Sequence, residues 1–243
     1  MALRAALILV AITFLVTLLM RLPARTLLPL LPANVTCAAP TGTVWSGACG
    51  QLHVGELAVS GLSWVLHPAA LLRLHVVADL ASPDPQASGH VQVDLARNGN
   101  VAITALAATV ALPGDAAVVP AGVSGSMQLA IDSARVEDRN LVALQGTIDL
   151  LQIHIDNPQA DVGSFELQFG PPTQPPIMVA QLHDLSGPLS VTGALQLSPA
   201  GSYQLDGSVT PKPGTSAELT QKLQMLGPPD AQGRHAFSIA GSL

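Results

Sequence analysis

Apolar and polar residues alternate along most of the chain. In residues 189–197 and 203–209 every second position is apolar on one face, with Gly193 and Gly207 filling the gaps, while the other face is largely polar. Two such runs joined by the short loop 198–201, which contains Pro and Gly, predict an antiparallel hairpin with one solvated face. The same alternation in residues 91–95 and 101–103 flanks an Asn-Gly turn, a strong short-range hairpin signal.

Other segments repeat this strand pattern. In residues 148–155 the apolar phase slips by one position, which indicates a β-bulge that re-aims the strand's side chains. Glycines inside several runs permit tight bends. Further strands are predicted over 127–131, 142–150, 162–169, 177–185 and 236–243.

Helical patterns are few and short. Residues 215–226 place leucines at helical spacing, with Ser216 as a cap and Gly227 as the end. Residues 66–72 carry Pro68 in a first turn, and 27–31 lie between two prolines. The predicted fold class is therefore mainly β: a curved, elongated antiparallel sheet with one or two short helices, preceded by an N-terminal transmembrane helix.

The transmembrane helix is predicted from an uncharged apolar stretch between Arg4 and Arg21. As a helix it measures roughly 24 Å, against a hydrocarbon core of about 30 Å, and the flanking arginines can snorkel. A cleaved signal peptide and a buried core helix are the alternatives, although no Ala-x-Ala site follows closely. The predicted division is an anchor over residues 1–22 and one periplasmic β-rich domain over residues 23–243.

The composition excludes some partners. Charged residues make up 11% of the chain and the net charge is −6, so the clustered Lys and Arg of a nucleic-acid-binding surface are missing. A hydrophobic share of 49% supports an ordered domain rather than a disordered tail.

The two cysteines, Cys37 and Cys49, suit an exported domain. They flank a predicted turn-strand-turn segment, and a disulfide here would contribute about 3 kcal/mol by the loop-entropy model. Two free buried thiols are the alternative. No second Cys or His pair stands nearby at the spacing of metal ligands.

Candidate catalytic chemistry is sparse. His154 with Asp156 and His183 with Asp184 are the nearest approaches to an acid-base or ligand pair, and solvated polar residues explain them better. No Gly-rich nucleotide loop is present. We therefore predict a non-enzyme without catalytic, cofactor-binding or metal-binding residues. Trp45 and Trp64 are interpreted as packing anchors near the membrane, with a carbohydrate or interface platform as the alternative.

Four motifs carry a resemblance to a known family. This chain resembles the type II secretion system protein N family in the order of the motifs that follow the apolar segment. They are residues 42–47 (Gly-Thr-Val-Trp-Ser-Gly), 62–72, 185–189 and 223–234. The resemblance implies a single-pass protein of a Gram-negative inner membrane with its bulk in the periplasm. It also implies an accessory role in exporting folded proteins, and no catalytic residues.

Two classes of function follow. In the first, the chain is a structural component that contacts other inner-membrane secretion subunits through sheet edges or loops. In the second, it is an AsmA-like module whose apolar strand faces bind lipid. Loss of substrate export on deletion is expected for the first, and co-extracted lipid for the second.

Overall fold

The mainly β class is confirmed by the structure, a computed structural model that describes residues 10, 13–14, 17–30, 35–54, 57–113, 122–156, 159–171 and 177–242. The chain forms two compact units, Met1–Asp84 and Pro85–Leu243. The sequence shows no change of composition at this boundary. Within each unit, consecutive strands pair antiparallel.

The first unit is a four-stranded antiparallel meander. A 3-10 helix, Ala24–Leu30, precedes it and contacts the first strand. The predicted helix at 66–72 is present as the single turn α1, Pro68–Leu71, between the last two strands. The segment predicted helical at 27–31 falls in the 3-10 helix, apart from Leu31, which lies outside the described residues. The strands are β1 Val35–Gly42, β2 Ser46–Val54, β3 Leu57–Leu66 and β4 His75–Asp84.

The second unit is a nine-stranded antiparallel meander. Helix α2, Ala217–Leu223, and a 3-10 turn, Gln224–Leu226, lie between its last two strands. Its strands are β5 Ala87–Ala96, β6 Val101–Leu112, β7 Val123–Glu137, β8 Asn140–Asp156, β9 Gln159–Phe169, β10 Met178–Ser186, β11 Leu189–Leu197, β12 Ser202–Pro211 and β13 His235–Ser242.

The local predictions in this unit are confirmed. β5 pairs with β6 through the Asn-Gly turn, where Gly99 has a φ of +86°, and β11 pairs with β12 across 198–201. The predicted bulge lies in β8: the register with β9 shifts between Leu150 and Ile153, and Gln152 has a φ of 52°. At α2 the Ser216 hydroxyl accepts a hydrogen bond from the Leu219 N–H at 3.2 Å, as a cap should.

The core of the second unit forms where α2 covers one face of the sheet. Leu219 and Leu223 of the helix pack against Leu182, Val191 and Val209, all of them buried. The strand register aligns apolar residues of neighbouring strands in rows across this face, because directly paired residues point to the same side. One such row contains Leu129, Ile148, Leu167, Leu182, Gly193, Gly207 and Phe237.

A side chain added at Gly207, in this row, would overlap its neighbours. A Cβ atom there would lie 2.6 Å from Cζ of Phe237 and 2.6 Å from the Thr192 carbonyl oxygen. The missing side chain thus makes room for the aromatic ring of the neighbouring strand, which covers the glycine. The glycine that interrupts the apolar alternation is therefore part of the core packing.

A Gly207→Ala substitution is expected to lower the free energy of unfolding by about 1–3 kcal/mol, because the added methyl overpacks the ring contact. Urea unfolding of the purified chain measures this. Gly170→Ala is the matched control, since nothing lies within 4 Å of its added Cβ and its backbone is not left-handed. Equal stability of the two variants would contradict the packing account.

The predicted N-terminal anchor is only partly represented in the structure. Residues 10, 13–14 and 17–20 are helical, and much of 1–22 lies outside the described residues. Among the helical residues that the structure describes, none belongs to a helix with the length and apolar character that a membrane span requires. The transmembrane helix and the division into residues 1–22 and 23–243 stay predictions.

Candidate functional site

The two tryptophans hold the turn between β1 and β2, Trp45 against the apolar segment and Trp64 against β3. The indole N–H of Trp45 donates a hydrogen bond to the Leu19 carbonyl at 2.8 Å, and the Val44 N–H donates to the Leu22 carbonyl at 2.9 Å. The indole N–H of Trp64 in turn donates to the Val44 carbonyl at 3.0 Å. The turn between β1 and β2 is thereby held against residues 19–22. Trp45 contacts the end of the apolar segment and Trp64 contacts the turn next to it. The proximity of both tryptophans to a membrane stays a prediction.

The helical residues before this junction expose large apolar side chains. Phe14 is 68% exposed, Leu18 54% and Met20 52%. Water-exposed apolar surface of this kind is unfavourable by about 25 cal/mol per Å². Scattered exposed leucines are ordinary on protein surfaces, but a contiguous apolar group marks a contact with protein or lipid.

Cys37 and Cys49 lie on the neighbouring strands β1 and β2. Their Cα atoms are 5.8 Å apart, inside the range that a disulfide spans, and the two sulfur atoms are bonded. Cys49 is only 1% exposed. Two residues after Cys37 on β1, Ala39 has a φ of 53°, in the left-handed region that favours glycine. That the pair is oxidised in the cell stays a prediction.

Asp184 forms the main polar contact on the core face of the second unit, at the end of β10. One carboxylate oxygen accepts the Val191 N–H at 2.9 Å and the Ser190 hydroxyl at 3.2 Å, and the other accepts Lys212 Nζ at 2.6 Å. Burial raises the pKa of Asp184, but the hydrogen bonds from Lys212 and Val191 outweigh it, and the pKa is lowered overall. The cluster joins β10, β11 and the segment after β12. The sequence alone does not indicate this cluster, because Lys212 lies 28 residues away from Asp184.

His154, of the first suspected acid-base pair, lies closer to Asp161 than to Asp156. His154 Nδ1 is 2.8 Å from Asp161 Oδ1, while Nε2 is 4.0 Å from Asp156. Both aspartates are exposed. His183 and Asp184, as successive strand residues, point to opposite faces of β10. Within the described ranges, no group of three His, Cys, Asp or Glu side chains is arranged to hold a metal ion.

A carboxylate on the polar face of the second unit also escaped sequence analysis. Asp149 of β8 pairs directly with Glu166 of β9, an arrangement of like charges that destabilises a sheet. Its Oδ1 atom is buried and has no hydrogen-bond partner among the residues that the structure describes. Asp149 lies at the margin of a shallow depression of about 300 Å³ with Ser88, Thr109 and Gln128. Among the described residues that line the depression, none is a histidine, cysteine or lysine.

β1 of the first unit and β13 of the second differ in how they are protected as edge strands. In β1, Pro40 lacks an N–H, Ala39 has a left-handed φ of 53°, and the 3-10 helix Ala24–Leu30 contacts the strand. β13 reads His-Ala-Phe-Ser-Ile-Ala-Gly-Ser, without proline, lysine or any acidic residue. In the described part of the chain, only β12 pairs with it. Natural edge strands usually carry one of these protections, so β13 is the candidate contact edge.

Comparison with known proteins identifies relatives of one kind. The family model described as "Type II secretion system (T2SS), protein N" matches residues 33–238. The chain is 29% identical to the type II secretion system protein N of Aeromonas hydrophila, over 98% of this chain and 97% of that protein. It is 25% identical to the protein of the same name from Vibrio cholerae serotype O1, over 91% of each. No solved structure matches the chain.

Proposed function

Because the chain belongs to the type II secretion system protein N family, we propose that it is an accessory inner-membrane component of the type II secretion machinery. Its N-terminal segment anchors it, and its β-rich part lies in the periplasm and makes non-catalytic contacts with other secretion subunits. The observation that carries the proposal is the family match over residues 33–238.

The structure supports an anchoring role for the N-terminal segment. Its described residues expose apolar side chains that water solvates poorly and that a lipid environment accepts. The hydrogen bonds from Trp45 and Val44 to residues 19 and 22 hold the turn between β1 and β2 at the end of that segment. Tryptophan is enriched at membrane–water interfaces, where an apolar ring and a polar N–H are both accommodated. This supports the predicted membrane-proximal position of Trp45 and Trp64.

The periplasmic location is supported by the cysteine pair. Disulfides persist in oxidising compartments such as the periplasm and are rare in the cytosol. Cys37 and Cys49 are bonded, and Cys49 is buried. The lipid-binding alternative gains no support from the comparisons, whose relatives are named as secretion proteins.

Protease accessibility tests the topology. In spheroplasts, externally added protease should remove the β-rich part while a cytoplasmic marker stays intact, because the outer membrane no longer shields the periplasm. Intact cells serve as the control and should protect the chain. If the chain is fully protected in spheroplasts and is cleaved only after the spheroplasts are lysed, the proposed orientation is contradicted.

Exchange of the anchor tests the secretion role. Deletion of the protein is expected to reduce export of a type II substrate. A version in which residues 1–22 are replaced by a cleavable signal peptide should leave the membrane fraction and restore export poorly. The matched control carries an unrelated single apolar span in place of residues 5–20 and should restore export. Unchanged export after complete deletion in the native host would contradict the proposed function.

A further inference from the structure

The unprotected edge of β13 is the structural feature that the secretion role leaves unexplained. The strand runs for eight residues, His235–Ser242, and no other described strand pairs with its outer side, where its backbone groups can accept another strand. Ile239 is 51% exposed even though it lies on the same face as the core residues Leu205 and Val209. The apolar face therefore ends at this edge with a large side chain that lacks a neighbour on its outer side among the described residues.

We propose that the occupant of this edge is β13 of a second copy of the same chain, paired antiparallel about a two-fold axis at Ser238. Two copies can join into one sheet with their apolar faces on the same side only if even-numbered residues pair with even-numbered residues and odd with odd. Pairing Ser238 with Ser238 satisfies this condition. It places Phe237 of each copy opposite Ile239 of the other, and Ala236 opposite Ala240.

The composition of β13 favours a copy of itself over a charged partner strand. Pairs of an aromatic and a β-branched residue stabilise neighbouring strands, and this register supplies two of them. The solvent-side positions, Ala236, Ser238 and Ala240, are small and uncharged, so the overall net charge of −6 brings no like charges together at the contact.

Closure explains why the edge is unprotected. Pairing about a two-fold axis uses the same surface on both copies and stops at two, whereas head-to-tail contacts propagate. An open β13 edge is consistent with a chain that forms a closed pair and not a fibre. The proposal concerns the chain itself and does not depend on the secretion role.

Cysteine cross-linking of the full-length chain in detergent tests the register. Ser238→Cys should form a disulfide-linked dimer under mild oxidation, shifting the mass to two chains, because the two residues face each other. Ala240→Cys is the matched control: in this register its two copies are offset by four residues, roughly 13 Å along the strands. That separation exceeds what a disulfide spans. A mixture of Ala236→Cys chains and Ala240→Cys chains should cross-link, because these two residues face each other in the proposed register.

A charge at the edge tests the pairing without cysteines. Ile239→Lys should shift the chain to the mass of a monomer, while Thr36→Lys on β1 should leave the dimer intact; unfolding midpoints show that both variants fold. A monomeric parent chain, or equal cross-linking of Ser238→Cys and Ala240→Cys, would overturn the proposal. The proposal would also be overturned if Ile239→Lys lost a co-purifying secretion subunit while Ser238→Cys formed no dimer. Another protein's strand would then occupy the edge.

Discussion

Replacement of both cysteines, Cys37→Ser with Cys49→Ser, is expected to lower the free energy of unfolding by about 3 kcal/mol. The bond closes a short loop, with a sequence separation of 12, and the loop-entropy model gives this value for a loop of that size. Because Cys49 is buried, the serine hydroxyl placed there adds a desolvation penalty to the loss. Urea unfolding of the purified chain, with and without reductant, measures the effect.

The control for this prediction is reduction of the unmodified chain. Dithiothreitol should lower the stability of the parent chain towards that of the double serine variant and leave the variant unchanged. If the reductant does not change the parent, or if the parent's thiols react with a maleimide before reduction, the cysteines are free thiols. The periplasmic assignment would then lose its support from the disulfide.

Asp184→Asn is expected to cost about 2 kcal/mol at neutral pH. The carboxylate accepts hydrogen bonds from Lys212, Val191 and Ser190, and hydrogen bonds involving a charged group each contribute about 1.5–3 kcal/mol. The side chain of Asp184 is 16% exposed and that of Lys212 37%, so solvent screens the pair only in part. The amide retains an acceptor for the Val191 N–H but loses the charge that Lys212 contacts.

The pH dependence of this loss has a defined sign. The pKa of Asp184 is lowered in the folded chain, so its contribution is present above the unfolded pKa of about 3.9 and disappears as the pH falls through the folded value. The stability gap between parent and Asp184→Asn should therefore be constant near neutrality and close in acid. Lys212→Met in a double-mutant cycle is the control. A gap that persists below the folded pKa, or a cycle without coupling, would contradict the role of the ion pair.

The local elements were predictable because local sequence determines them. Strict alternation around Gly193 and Gly207 indicated β11 and β12, the one-residue slip in 148–155 indicated the bulge, and Ser216 indicated the start of α2. The lengths of the strands were harder to predict from the sequence. β7 extends over Val123–Glu137, well beyond the predicted 127–131, because polar residues on the solvated face break the apolar pattern without ending the pairing.

The contacts that define the candidate sites were not predictable in this way. Lys212 reaches Asp184, and Phe237 covers Gly207, only because the strand register brings together residues about thirty positions apart. The hydrogen bond from Trp45 to the Leu19 carbonyl likewise depends on how the turn after β1 folds back. The difference between the β1 and β13 edges could be recognised only from the order of strands, because the sequence of a strand does not indicate whether it has a second neighbour.

The pairing of every strand with its neighbour in the sequence has a consequence for folding within each unit. Ordered hairpins need only short chain segments to close, so the entropic barrier to each step is small and formation is fast for a β protein. During synthesis, in which the amino end emerges first, each hairpin can form as soon as its second strand has emerged. Assembly of either unit therefore need not wait for release of the carboxyl terminus, which shortens the time that unpaired apolar segments are open to aggregation.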